Sequence, residues 1–110
     1  MPDPQQPWKP ADATLIINEI ASARMCTFSY TVHARERMAE RGLILSDLLF
    51  ALRSGFVYSV PEESTIKGYY KYKVESQTPN SGSRSLRLVV VPDRKSCQIK
   101  VITIMWRDEG

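Results

Sequence analysis

The sequence has few of the residues from which proteins build metal sites. It contains two cysteines, Cys26 and Cys97, and a single histidine, His33. The cysteines form no CxxC pair, so a zinc site would have too few soft ligands. We therefore expect any chemistry to proceed without a metal or other cofactor. Two widely separated cysteines in a chain that is not secreted are usually buried free thiols, and we expect free thiols here.

Long apolar runs and nucleotide-binding loops are also absent from the sequence. No stretch approaches the roughly 20 apolar residues that cross a bilayer. The first ten residues have neither the basic cluster nor the apolar stretch of a secretory signal. These absences predict a cytoplasmic protein that does not associate with membranes. Without a glycine-rich phosphate loop or a clustered carboxylate pair, a P-loop nucleotide hydrolase and a glycosidase are both poorly supported.

Basic residues are concentrated in the second half of the chain. Between Ser64 and Arg107 the sequence has nine lysines and arginines against two acidic residues, whereas the rest of the chain has six against ten. A basic sheet surface is typical of proteins that bind phosphate backbones. An ordinary solvated strand face rich in lysine is the alternative interpretation.

The length of 110 residues fits one domain. Four prolines within residues 1–10 predict a flexible, Pro-rich tail, followed by a single domain over residues 11–110. Trp8 in the tail either docks locally or contacts a partner. Hydrophobic periodicity, caps and turn residues predict three helices, over about 12–24, 32–41 and 47–53. The same signals predict strands within 26–31, 56–60, 69–75, 86–91 and 99–106. The predicted fold is α+β, with two to three N-terminal helices packed on one face of a four- to five-stranded, mainly antiparallel sheet.

The second predicted helix carries the residues best suited to chemistry. His33, Arg37 and Arg41 follow one another at intervals of four, so they form one stripe along a helix. Guanidinium groups bind phosphate oxygens bidentately, and imidazole transfers protons near neutral pH. These are the ingredients of RNA cleavage by internal transesterification. Structural roles remain open, because Glu36 and Glu40 are near enough to pair with the arginines.

Other polar and aromatic positions are weaker candidates. Arg87 follows Leu86 in a predicted central strand and should point to the opposite face, so it could stabilise a transition state. Tyr70 and Tyr72 could stack on bases or donate a proton. Aromatic residues that alternate along a strand are, however, more often part of the core.

The segment from Phe28 to Leu43, FSYTVHARERMAERGL, resembles the signature of an uncharacterised bacterial domain family, one of the domains of unknown function. That signature reads His-Ala-x-x-Arg-Met-x-x-Arg-Gly, and the resemblance extends over about residues 26–106. The family is similar to the RelE and BrnT toxins, which are small ribonucleases. The resemblance implies a RelE-like fold, RNA as substrate, and His33, Arg37 and Arg41 as site residues. It also implies an acidic, antitoxin-like partner protein. Relatives often carry histidine near the position of Arg87, and this departure leaves the chain with a single imidazole.

The sequence thus supports one leading hypothesis and one alternative. The leading hypothesis is a metal-independent endoribonuclease of the toxin type, with His33, Arg37, Arg41 and Arg87 as catalytic residues. The alternative is a non-catalytic domain that binds RNA or a protein partner. The oligomeric state is left open by the sequence.

Overall fold

The computed structural model describes residues 5–82 and 84–109. Three helices lie in the first half of the chain: α1 (Pro10–Ser22), α2 (Val32–Glu40) and α3 (Leu45–Ser54). The described strands are β1 (Thr27–Tyr30), β2 (Phe56–Val57), β3 (Glu62–Glu63), β4 (Tyr70–Ser76), β5 (Leu86–Asp93) and β6 (Gln98–Trp106). The predicted α+β class is confirmed. No helix in this described part of the chain is long and apolar enough to cross a membrane.

The strands form a mixed sheet in the order β1-β6-β5-β4-β2, with β3 paired to β4 beside this path. The long strands β4, β5 and β6 pair antiparallel as a meander. β1 joins the edge of β6 in the parallel direction, with Tyr30 opposite Val101. The sheet is therefore mainly antiparallel, as predicted, with β3 as a short additional strand.

The two faces of the sheet differ in burial. Along β5, Leu86, Leu88 and Val90 are fully buried, whereas Arg87 and Val89 between them are half-exposed. The buried positions join the apolar faces of all three helices in one core. Residues that alternate along a strand point to opposite faces. The helices therefore cover one face of the sheet and leave the other open.

The second helix begins where the sequence predicts. The Thr31 side chain accepts a hydrogen bond from the Ala34 N–H at 3.0 Å, which caps the helix. The same hydroxyl donates to the Ile102 carbonyl of β6 at 2.7 Å and so fixes the start of α2 to the sheet. Gly42 follows the helix with a φ of +64°, a conformation that glycine adopts without a steric penalty.

The third helix is longer than predicted. It starts at Leu45, and Asp47 lies inside its first turn, where its Oδ2 accepts the Ile44 N–H at 3.0 Å. A carboxylate at this third helical position can reach back to the N–H of the residue before the helix and cap it. The helix ends at Gly55, as the sequence indicates.

The N-terminal segment packs on the sheet from Gln6 onward, where the sequence predicted a tail over residues 1–10. Trp8 is 4% exposed, and its ring stacks on that of Tyr72 at 5.4 Å between centroids. The Gln6 side chain donates to the Pro92 carbonyl and accepts the Tyr70 N–H. These bonds bridge β4 and β5 beyond the last residue pair of their ladder, Tyr72 with Val90. Residues 1–4 of the predicted tail lie outside the described residues.

The expectation of two free thiols is corrected. Cys26 and Cys97 are joined as a disulfide, with 4.6 Å between their Cα atoms and a separation of 71 positions in sequence. The pairing of β1 with β6 sets Thr27 opposite Gln98 and so brings the two preceding residues together. No local sequence pattern predicts the parallel pairing of β1 with β6, because this pairing depends on tertiary structure alone.

Candidate functional site

Three of the four predicted site residues lie together on α2. Ala34 and Met38 seat this helix on the core, which leaves His33 exposed on its outer surface. The Arg37 Nε donates to the His33 Nε2 at 3.5 Å, and the Arg41 Nη1 lies at the same distance from the Arg37 carbonyl oxygen. The imidazole and two guanidinium groups therefore form one continuous surface, which we call the α2 stripe (His33, Arg37 and Arg41).

A carboxylate lies within the α2 stripe. Glu40 accepts a hydrogen bond from Arg37 at 2.8 Å and another from Arg41 at 3.3 Å. The bond from Arg37 is the main cause that lowers the pKa of Glu40, and burial acts in the opposite direction. One negative charge is thus shared by two cations. The stripe keeps a net positive charge, with Arg41 mostly buried and Arg37 more open, at 12% and 38% side-chain exposure.

The fourth predicted site residue, Arg87, lies on the open face of the sheet, whereas α2 packs on the covered face. Its Nε is 3.4 Å from the Glu75 carboxylate, and its guanidinium lies 4.4 Å from the centroid of the Tyr58 ring. Arg107 contacts the same carboxylate at 3.3 Å. The structure brings His33, Arg37 and Arg41 together and does not bring Arg87 to them.

The two tyrosines singled out in the sequence contribute to packing. Tyr72 is fully buried, and burial raises the pKa of its phenol, although the hydrogen bond from the Trp8 N–H acts in the opposite direction. Tyr70 is half-buried and packs against the core. The core interpretation of these aromatic residues therefore agrees with the structure.

The open face of the sheet is a second candidate surface. In its middle Val89 and Val91 of β5 point outward, opposite Thr103 and Lys100 of β6. Cations flank this middle on both sides, with Lys71 and Lys73 on β4 and Lys100 on β6. Lys73 is paired with Glu62 of β3 at 3.2 Å. The open face therefore offers an apolar contact area with positively charged side chains on either side of it.

A cleft of about 330 Å³ lies where the N-terminal segment meets the turn between β5 and β6. It is lined by Gln5, Gln6, Trp8, Gly68, Tyr69, Asp93, Arg94 and Lys95. The Tyr69 hydroxyl donates to Asp93 at 3.1 Å, whereas Gln6 and Arg94 bond to residues outside the lining. In the described part of the chain, no group of three or more His, Cys, Asp or Glu residues could hold a metal ion.

Comparison with known proteins gives one match. A family model described as "Domain of unknown function (DUF4258)" matches residues 30–106, which run from the end of β1 to the end of β6. The chain belongs to this DUF4258 family. The match includes the whole α2 stripe, the open face and Arg87, whereas α1 and Cys26 lie before it. No curated protein and no solved structure matches the chain.

Sequence reasoning did not distinguish one contributor to the site, Glu40, from Glu36, and it missed another, Glu75. Glu40 was considered only as one of two neighbouring carboxylates, and its position three residues after Arg37 could have identified it as the shared partner. Glu75 gave no signal, since its contacts with Arg87 and Arg107 depend on strand pairing and on the end of β6.

Proposed function

We propose that this DUF4258 domain is a RelE-like, metal-independent endoribonuclease whose phosphate site is the α2 stripe. The observation that carries the proposal is the contact of the exposed His33 imidazole with Arg37, whose guanidinium lies beside that of Arg41 around Glu40. A proton-transfer group thus lies next to two groups that can bind a phosphate.

The chemistry assigned to these residues is internal transesterification. His33 takes the proton of a 2′-hydroxyl, and the 2′-oxygen forms a bond to the adjacent phosphorus. The bond from phosphorus to the 5′-oxygen breaks, and this oxygen takes a proton from water. The products are a 2′,3′-cyclic phosphate and a 5′-hydroxyl. Arg37 and Arg41 stabilise the charge that develops on the phosphoryl oxygens.

Arg87 has a different role in this proposal from the one that the sequence favoured. Its guanidinium contacts Glu75 and Tyr58 on the open face. It is therefore assigned to RNA binding and not to stabilising the reacting phosphate. The proposal also includes a cytoplasmic location, where RNA is available, and an acidic antitoxin-like protein as partner.

The first test is an RNA degradation assay in the presence of EDTA. Wild type is expected to cut a single-stranded RNA oligonucleotide of mixed sequence and to leave the corresponding DNA intact, because DNA lacks the 2′-hydroxyl.

His33→Ala should abolish cleavage without changing the thermal midpoint, because the side chain is exposed. Arg37→Ala should weaken both binding and cleavage, and Arg24→Ala, which removes an exposed cation outside the stripe, is the charge-matched control. Mass spectrometry should detect the cyclic phosphate. Undiminished cleavage by His33→Ala would refute the assigned mechanism.

A second candidate function is non-catalytic binding of an acidic polypeptide, and the open face favours it. Aliphatic Val89 and Val91 flanked by lysines suit a helix with one apolar and one acidic face. Bases stack on aromatic rings, and the Tyr58 ring on this face is occupied by Arg87. The discriminating result is RNA that is neither bound nor cut, together with binding of an acidic amphipathic peptide that Lys71→Glu abolishes.

A further inference from the structure

The disulfide lies at the start of β1, the strand that precedes the helix with the α2 stripe. Cys26 immediately precedes β1, and α2 follows β1 after one residue, Thr31. β1 is an edge strand that, among the described strands, pairs only with β6, over four residue pairs. β1 is held by this ladder, by the Thr31 bonds at one end and the disulfide at the other, and by the partial burial of Phe28 and Tyr30 against the core. Edge elements with few contacts open at lower free-energy cost than central strands.

Cys97 is held in place by contacts other than the disulfide. The turn before it is fixed by Asp93, whose carboxylate accepts hydrogen bonds from the Ser96 hydroxyl at 2.6 Å and the Ser96 N–H at 3.3 Å. Burial alone would raise the pKa of Asp93, but these bonds lower it. The Thr27 N–H also donates to the Cys97 carbonyl at 2.9 Å. These contacts position Cys97 beside β1 independently of the disulfide.

The backbone of Cys97 is a second indication of a specific role. Its φ is +54°, the only positive value among the described residues other than glycine. Glycine or asparagine would adopt this conformation at lower cost. A cysteine in such a position is unfavourable for packing alone, and unusual backbone conformations are concentrated at functional positions.

We infer that Cys26 and Cys97 form a reversible thiol–disulfide exchange site, whose oxidation state sets how firmly β1 and the α2 stripe are attached to the sheet. The reaction partner is a dithiol reductant. Its thiolate attacks Sγ of Cys97, which is half-exposed, whereas Cys26 is 9% exposed. The bond between the two sulfurs breaks, and Cys26 leaves as a thiolate and takes a proton. The second thiol of the reductant then releases Cys97, so that the protein gains two thiols and the reductant becomes a disulfide.

The test compares oxidised and reduced full-length protein. Alkylation and mass spectrometry should count no free thiols after mild oxidation and two after treatment with dithiothreitol. On reduction, hydrogen exchange at the amides of β1 and the first turn of α2 should accelerate at least roughly tenfold, with β4 and β5 unchanged. In the double variant Cys26→Ser, Cys97→Asn, the amide hydrogens of β1 and α2 should exchange as fast as in reduced wild type. Their exchange rate should not change with the redox conditions. Asparagine is chosen because it tolerates the positive φ.

RNA binding provides a separate readout, and only this part rests on the proposed function. Reduction should weaken the affinity of wild type for single-stranded RNA and leave that of the double variant unchanged. Two free thiols after oxidation, or equal exchange of β1 in both states, would overturn the inference. Redox-dependent exchange in a protein that binds no RNA in either state would support the exchange site and refute the proposed function.

Discussion

Asp47 in α3 and Asn80 in the turn before β5 are joined by two hydrogen bonds across 33 residues of sequence. The carboxylate oxygens of Asp47 accept the Asn80 N–H at 3.2 Å and its side-chain amide at 3.0 Å. The same carboxylate caps the first turn of α3 through the Ile44 N–H. This buried side chain, 1% exposed, therefore fastens the loop between β4 and β5 to the helical layer.

Stability should depend on the charge of Asp47. Burial alone would raise the pKa of this carboxyl, but the hydrogen bonds from Ile44 and Asn80 prevail and lower it. Because the folded-state pKa lies below the unfolded one, the stabilisation is complete above about pH 4 and is lost as the pH falls through the folded-state value. Asp47→Asn should cost about 2 kcal/mol at pH 7 and progressively less below pH 4. Chemical denaturation at several pH values measures this. Glu63→Gln, at an exposed position in β3, is the control, and an Asp47→Asn penalty that does not depend on pH would contradict the prediction.

Gly55 should tolerate no larger residue. A Cβ at this position would lie 2.8 Å from the Glu75 carbonyl oxygen and 2.9 Å from Cγ1 of Val74. Both atoms belong to β4, so the end of α3 would have to move away from the sheet. Gly55→Ala is expected to lower the free energy of unfolding by about 2–3 kcal/mol, measured by denaturant titration. Ser54→Ala at the exposed preceding position should change it little, and equal stability of both variants would disprove the close approach.

The Tyr72 hydroxyl should anchor the N-terminal segment. It accepts the Trp8 N–H at 3.0 Å and donates to the Gln6 Oε1 at 3.3 Å. Tyr72→Phe leaves the buried Trp8 N–H without this partner and should cost about 1–2 kcal/mol. Chymotryptic cleavage after Trp8, detected by mass spectrometry, should accelerate along with the loss of stability. Tyr69→Phe removes a more exposed hydroxyl and serves as the comparison; a larger effect there would contradict the assignment.

Glu40 should restrain the affinity of the α2 stripe for anions. Glu40→Gln removes the negative charge that Arg37 and Arg41 share, so the affinity for single-stranded RNA at low salt should rise roughly threefold or more. The dependence of binding on salt should steepen, since more counterions are displaced. Fluorescence anisotropy over a salt series measures both effects. Glu36→Gln on the same helix is the matched control, and an equal gain for both variants would indicate a general charge effect rather than a specific site.

The local patterns of the sequence predicted most elements because their causes are local. The alternation along β4 and the apolar runs of β5 and β6 gave strands close to those observed. α2 begins after Thr31 and ends before Gly42, as expected. The spacing of His33, Arg37 and Arg41 therefore places the three side chains on one surface. The strand predicted over residues 56–60 is shorter than expected, because its pairing with β4 is confined to Phe56 and Val57.

The position of Arg87 could not be predicted from these patterns. Its alternation with Leu86 gave the correct face of the strand. Whether α2 packs on that face or the other depends on how the chain crosses the sheet, which no window of neighbouring residues encodes.

The sequence by itself determined the helices, the meander of β4 to β6 and the stripe on α2, since capping, helical periodicity and strand alternation act between residues close in the chain. The tertiary structure alone decided that β1 pairs parallel with β6, that Cys26 reaches Cys97, and that Trp8 is buried against Tyr72. Each of these contacts joins residues more than 60 positions apart. Such contacts form because the whole core must be filled at once, and no local pattern specifies which distant surfaces fill it.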